Sequence, residues 1–414
     1  MGASSKNQKL VFSLLYSLFI AANIAANVSL VVLDFYALLM GLFIIYKLKW
    51  ESGPELLYYF VLLFSVLDYA FNLPLLGRFN IYYLHIALFI LVVMIFSGFL
   101  KRGQIWQPRL LVQNKYILFL TIFIIYMVAS LLWVSNLGSA LKYLLNYLIM
   151  ICFLSAVYHF NYDRNKLSET LKLLFVTAGS VLLLGCFEMA GLRMPFRNIF
   201  TDSGWYSLGI DYLKTIPTVF FYNPNNYAVY LIMLMSFLIP GIIFVRNKFF
   251  KGLLVVMQIV CLLNLIFTTS RTAWMAMFLT VLGFIFFFLF QKERSKAVLA
   301  TKIGLVTLII FYVLSYVPAL DVYYGKFNDT PILNFLSLRA HRTNLPLFTL
   351  NDSGSANERY TIIIDVIKGV TLEGHWQGFG VNNTSYYLAQ LNNTHGFFNV
   401  HSLWFEILGD FGLF

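Results

Sequence analysis

The chain has 414 residues, of which 60% are hydrophobic and only 11% charged, and its mean hydropathy is +0.77. No water-soluble domain needs that much apolar surface, so a soluble globular protein is excluded and a polytopic membrane protein is implied. The formal charge of +11 would suit a nucleic-acid partner only if the basic residues sat on one soluble module; they are dispersed through short loops, which argues against it.

Apolar runs long enough to cross a bilayer fall at about 10–26, 28–46, 55–72, 79–99, 115–134, 140–160, 169–190, 225–245, 252–269, 272–290 and 301–318. A twelfth begins near 400. Its twelve residues, Leu403 to Phe414, are too few to span, so the expectation is either a truncated helix or an incomplete crossing. The predicted fold is all-α: a transmembrane bundle of about 11–12 helices, with residues 1–318 as the bundle. Residues 319–399 form a large extracytoplasmic loop or cap, and 400–414 the start of a further transmembrane helix. Lys6 and Lys9 precede the first run without a convincing cleavage site, so this head reads as an anchor, not a signal peptide. Cys152, Cys186 and Cys261 are far apart inside apolar stretches, which suits packing thiols and gives no metal-binding spacing.

Lys and Arg set the orientation. With the N-terminus inside, eighteen of the 29 basic residues fall in short cytoplasmic loops beside helix ends, among them Lys47, Lys49, Lys101, Arg102, Arg246, Lys248, Arg294 and Lys296. The short external loops hold only Arg78, Lys142 and Arg271. Both long connections, about 191–224 and 319–399, then face outward. Within the second, Ile362, Ile363, Val366, Ile367 and Val370 repeat at helical spacing, so a helix is predicted over about 357–370. Ser353, Ser355 or Asn357 would cap it, and Gly369 or Gly374 would stop it. The 377–380 and 392–396 stretches are turn chemistry.

Three residues stand out on the outward side. Arg271 lies between two apolar runs, where it either anchors a helix end by snorkelling or forms a fixed cation on the floor of an external cavity. Guanidinium suits phosphate oxygens because it is a planar fork that keeps its charge. Arg359 sits near the start of the loop helix, where a cation is poorly placed without Glu358 or an external anion. His401 enters the last apolar run, and a titratable group where a loop rejoins the membrane is a candidate site. Glu406 and Asp410, five and nine residues on, could orient its imidazole or simply be satisfied by neighbouring elements. The basic cluster Arg339, His341 and Arg342 reads as a solvated face, and His375 and His395 as structural turn residues. The outer 191–224 connection adds Arg193, Arg197, Asp202, Asp211 and Lys214. Asn223-Pro224-Asn225-Asn226 is good helix-capping chemistry, and that role alone accounts for much of it. The sequence carries no Walker loop, Rossmann glycine pattern, HExxH or cysteine–histidine metal set, and no nucleotide, metal or other cofactor is expected.

Four segments occur together in order: Phe221-Tyr222-Asn223-Pro224-Asn225-Asn226-Tyr227-Ala228, Ser270-Arg271-Thr272-Ala273-Trp274, Ser353-Gly354-Ser355-Ala356-Asn357-Glu358-Arg359, and His401-Ser402 followed after nine residues by Gly412. By these the chain resembles the O-antigen ligase and polysaccharide polymerase superfamily of bacterial envelopes over roughly 215–414; the first 200 residues resemble it only in hydropathy. The family pattern continues beyond Phe414, where this sequence stops. The resemblance implies a metal-independent membrane glycosyltransferase in the bacterial cytoplasmic membrane, with its active site facing outward. Its partners would be an undecaprenyl-diphosphate-linked glycan, membrane lipid and other polysaccharide assembly proteins. By motif match Arg271 and Arg359 would hold the diphosphate and His401 would activate the acceptor hydroxyl, with Asn223, Asn225 and Glu406 as supporting residues. The expected reaction is polymerisation of lipid-linked repeat units. Transfer of finished glycan to another acceptor is the alternative, and flipping or export of the same lipid-linked glycan is an alternative of another class. Export would favour charges at mid-membrane rather than at the outer face.

Overall fold

The structure is a computed structural model that describes residues 2–26, 31–49, 52–67, 72–75, 79–101, 115–192, 198–202, 215–268, 270–315, 355–393, 398–400 and 402–413. Each of the eleven apolar runs forms a helix: α1 (Gly2–Ala26), α2 (Val31–Lys47), α3 (Gly53–Leu67), α4 (Tyr83–Lys101), α5 (Lys115–Ser130), α6 (Leu137–Phe160), α7 (Arg164–Met189), α8 (Pro224–Phe244), α9 (Lys248–Phe267), α10 (Arg271–Phe290) and α11 (Arg294–Ser315). Among the described residues, α6 to α10 are long and apolar enough to cross a membrane. The fold is a polytopic helical membrane bundle. Its outer faces show this, because large apolar side chains such as Phe119, Phe89 and Phe290 are exposed while small and polar ones such as Ala37 and Asn264 are buried.

Helix starts follow their caps. Asp163 accepts from Lys166 N at 2.8 Å to open α7, and Asn247 accepts from Phe249 N at 2.9 Å to open α9. One departure from the all-helical expectation occurs between α3 and α4. Strands β1 (Asn72–Leu75) and β2 (Phe79–Tyr82) pair antiparallel, with Asn72 opposite Tyr82 and Leu75 opposite Phe79. Residues 72 and 79–82 had been counted within the apolar runs. Pairing satisfies their backbone groups within the connection itself.

The described chain divides into two compact units. The first comprises 1–87 and 161–345 and holds α1–α3, the hairpin and α7–α11. Here α3 is latched to the start of α7 by the Lys166–Glu55 ion pair and by Tyr59 Oη donating to Glu169 at 2.9 Å. The second comprises 88–160 and 346–414. It adds to α5 and α6 three helices: α12 (Ser355–Thr371), α13 (Thr384–Leu391) and α14 (Leu403–Phe411). Helix α12 starts two residues before the predicted span and ends one beyond it, and Gly374, with φ of +84°, turns the chain away. Helix α14 has nine residues and closes at Gly412.

Candidate functional site

In the first unit, a few polar side chains gather four helix ends. Tyr227, in the first turn of α8, donates to Asn264 Oδ1 in the last turn of α9 at 3.0 Å. Asn264 in turn donates to the Leu182 carbonyl of α7 at 3.3 Å. The approach is so close that a Cβ at Gly185 would overlap the Asn264 carbonyl oxygen. Trp274, in the first turn of α10, donates its indole N–H to the Leu265 carbonyl at 3.3 Å. These bonds place the C-terminal ends of α7 and α9 beside the N-terminal ends of α8 and α10. Arg271, the first residue of α10, therefore stands at the same end as Asn223. Asn223 caps α8, accepting from Asn226 N at 2.9 Å ahead of Pro224. Asn225 is exposed one position into that helix.

Glu188 is a residue the sequence reading passed over. It ends α7 and is buried, with its carboxylate accepting from Thr218 N and Val219 N, both at 2.7 Å. A buried carboxylate requires donors, and two backbone N–H groups provide them. The effect is to pin the 215–223 segment over the same four helix ends. Tyr222 extends the tie outward, donating to Asp202 at 3.1 Å while its carbonyl accepts from Ile199 N at 2.8 Å.

In the second unit, α12 and α14 pack on one core made by Ile362, Val366, Leu388 and Val400. Their relative direction follows from Phe379. Its N–H donates to the Gly409 carbonyl in the last turn of α14 at 2.7 Å, and a Cβ at Gly369, in the last turn of α12, would meet its ring. Both helices thus end at Phe379 and run parallel. Measured back from Phe379, Leu403 lies about 9 Å along α14 and Arg359 about 15 Å along α12, so the two fall roughly one turn apart, with the first turn of α12 beyond both. The α14 start therefore meets the side of α12 and not its first turn, with both helices pointing the same way.

The far end of the same pair is clamped by the 376–384 turn. Asp410, buried on α14, accepts from Asn382 N at 2.7 Å, Thr384 N at 3.1 Å and the Thr384 hydroxyl at 2.6 Å. The Asp410 carboxylate is thus satisfied by the 382–384 turn. Gly380 N donates to the Asp410 backbone carbonyl at 2.9 Å, and Leu413 N to that of Trp376 at 3.0 Å. Gly412, with φ of +71°, closes against this turn so tightly that a Cβ would overlap the Trp376 carbonyl oxygen. The glycine of the His-Ser-nine-Gly element is therefore a packing requirement. The turn is also tied to the helices of its own unit: Tyr126 Oη donates to the Gln377 carbonyl at 2.9 Å, Trp133 Nε1 to that of Gly378 at 3.1 Å, and Asn136 N to Asn383 Oδ1 at 2.7 Å.

Of the residues singled out from sequence, His401 lies outside the described residues, between buried Val400 and Ser402, as do Arg193, Arg197, Asp211, Lys214, Arg339, His341, Arg342, Ser353 and His395. Glu406 is exposed in the first turns of α14, with its N–H donating to the Ser402 carbonyl at 2.9 Å. His375 packs against Phe379 and Tyr387, with ring centroids 4.9 and 6.0 Å away, which is the structural role expected of it. Burial first, and the 2.8 Å bond to Glu373 second, push the Tyr387 phenol above its usual range, so it remains a donor. Cys261 is a buried packing thiol that donates to the Leu231 carbonyl.

Comparison with known proteins agrees with the resemblance read from the four segments. Residues 256–414 match the family described as O-Antigen ligase. The chain is also 24% identical over 385 residues to the teichuronic acid biosynthesis protein TuaE of Bacillus subtilis (strain 168), an alignment covering 91% of this chain and 74% of that protein. No solved structure matches it. The matched family region includes Arg271, Arg359 and His401. The matches agree with the resemblance to the O-antigen ligase and polymerase superfamily and with a role in membrane polysaccharide biosynthesis, and the family region spans three of the four segments.

Proposed function

We propose that this chain, whose residues 256–414 carry the O-antigen ligase family region, is a glycosyltransferase that polymerises undecaprenyl-diphosphate-linked repeat units on the outer side of the bacterial cytoplasmic membrane. The observation that supports the reading is the parallel α12–α14 pair, along which Arg359 and the two residues flanking position 401 fall roughly one turn apart. In this reading, by the motif match, the Arg271 and Arg359 guanidiniums take the diphosphate of the donor. As the glycosidic bond to diphosphate breaks, negative charge grows on the departing oxygen, and fixed cations and N–H groups lower that barrier without rearranging. His401 removes the proton from the acceptor hydroxyl, leaving a neutral glycosidic oxygen in the product. The relative named for teichuronic acid biosynthesis fits a role in glycan assembly.

The test is reconstitution of the purified protein with a defined undecaprenyl-diphosphate oligosaccharide. A ladder of products growing by whole repeat units is expected, and EDTA should leave it unchanged. A single transfer to a different acceptor would assign the ligase reaction, while abolition by EDTA would overturn the metal-independent mechanism. The orientation is tested separately with a cysteine at position 353. An impermeant reagent should label it in intact cells, and labelling only after permeabilisation would put the site on the wrong side.

A further inference from the structure

An apolar groove of about 140 Å³ runs between α10 and α11, along positions 277–285 of the first helix and 301–308 of the second. Its floor is buried, formed by Met277, Val281 and Thr307, and its rim is exposed, formed by Phe278, Leu305 and Leu308. The floor exists because Gly304 meets the Val281 side chain directly, which draws the two backbones together there and leaves the larger side chains to either side. The groove is half-open and almost free of polar lining, so in a bilayer its occupant is a hydrocarbon chain.

Its position on α10 identifies which chain. Arg271 is the first residue of the same helix, six residues before Met277, so the groove begins about 9 Å below the guanidinium-bearing position and continues for about 12 Å. We infer that this groove holds the first few isoprene units of the polyprenyl chain whose diphosphate Arg271 binds. The inference rests on the donor reading above and adds the tail to it. A groove for one chain that starts beneath a cation fits a single-chain lipid with a compact anionic head. A two-chain phospholipid would leave one chain outside it. The physical gain is in shape: the chain is already in hydrocarbon, so the groove adds close packing and a fixed direction of entry, with no further transfer from water.

A polyprenyl diphosphate with a diazirine on its second to fourth isoprene unit, photolysed with the purified protein in nanodiscs, tests this by peptide mapping. Label is expected on 277–285 and 301–308, reduced about fivefold by Leu308→Trp, which fills the rim, and by Arg271→Ala, which frees the head. A phosphatidylglycerol with a diazirine at similar depth should label these positions no more than it labels the outward face of α6. Equal labelling by both lipids would make the groove an ordinary lipid seam and overturn the inference. So would undiminished label in either variant. If the native donor is turned over with no label in the groove, only this inference falls; if the donor is neither turned over nor bound, the donor reading falls with it.

Discussion

The end of the first unit that carries Arg271 is gathered by side chains reaching between helices, whereas the end of the α12–α14 pair in the second adds close backbone approach at glycines to the bonds of a buried carboxylate. In the first, Tyr227, Asn264, Trp274 and Glu188 each bridge elements. In the second, Gly412 and Gly378 bring the Trp376–Gly380 turn so near the end of α14 that no side chain fits between them. The difference has a physical origin. A helix–helix contact in a membrane is satisfied by modest hydrogen bonds between otherwise apolar faces. A turn packed on a helix end must satisfy many backbone groups at once, and close approach is the way to do so.

Substitutions can break this comparison at either end. The largest effects are expected at the arginines: Arg271→Ala and Arg359→Ala should each abolish polymer in a complementation assay at equal expression. Arg→Lys should rescue poorly, because the bidentate fork is lost. Polymer at wild-type level in either alanine variant would reduce that residue to a helix anchor. Next come the clamp residues. Asp410→Ala strips the acceptor from two N–H groups and a hydroxyl, and Gly412→Ala adds a Cβ where the Trp376 carbonyl stands. Each should cost on the order of 3 kcal/mol and lower the thermal midpoint in detergent, with activity falling in parallel. A Gly412→Ala protein as stable as wild type would show that the turn gives way. Asn264→Leu should cost less, roughly 0.6 to 1.7 kcal/mol, as interhelical bonds in membranes do. If it cost as much as Asp410→Ala, the contrast between the two regions would fail. Asn223→Ala should remove a cap worth about 1 kcal/mol, and Asn225→Ala, exposed beside it, should change the midpoint hardly at all.

The helices were legible in the sequence because apolar length is a local property, and Asn223 was legible because capping is decided within four residues. Glu188 and Asp410 were harder to read. Their partners are backbone N–H groups of remote turns at 218–219 and 382–384, and nothing in the local sequence of a carboxylate names such partners. The hairpin at 72–82 was hidden for a different reason: alternating and continuous apolar residues look alike over four positions. Arg359 and His401 were found individually through their motifs. That Arg359 and the residues flanking position 401 lie on a parallel pair depends on Phe379, which touches the last turns of both helices and lies in a stretch read only as a turn.

The central claim is that the stretch of the α12–α14 pair bearing Arg359 and position 401 is where the transfer occurs, with His401 as the base. Its most direct test separates donor binding from transfer in purified His401→Ala, with His375→Ala as the control that touches only the turn. The account predicts that His401→Ala binds the lipid-diphosphate donor as wild type does and transfers about 10²–10⁴-fold more slowly, while His375→Ala stays near wild type. Near-normal turnover by His401→Ala would contradict it.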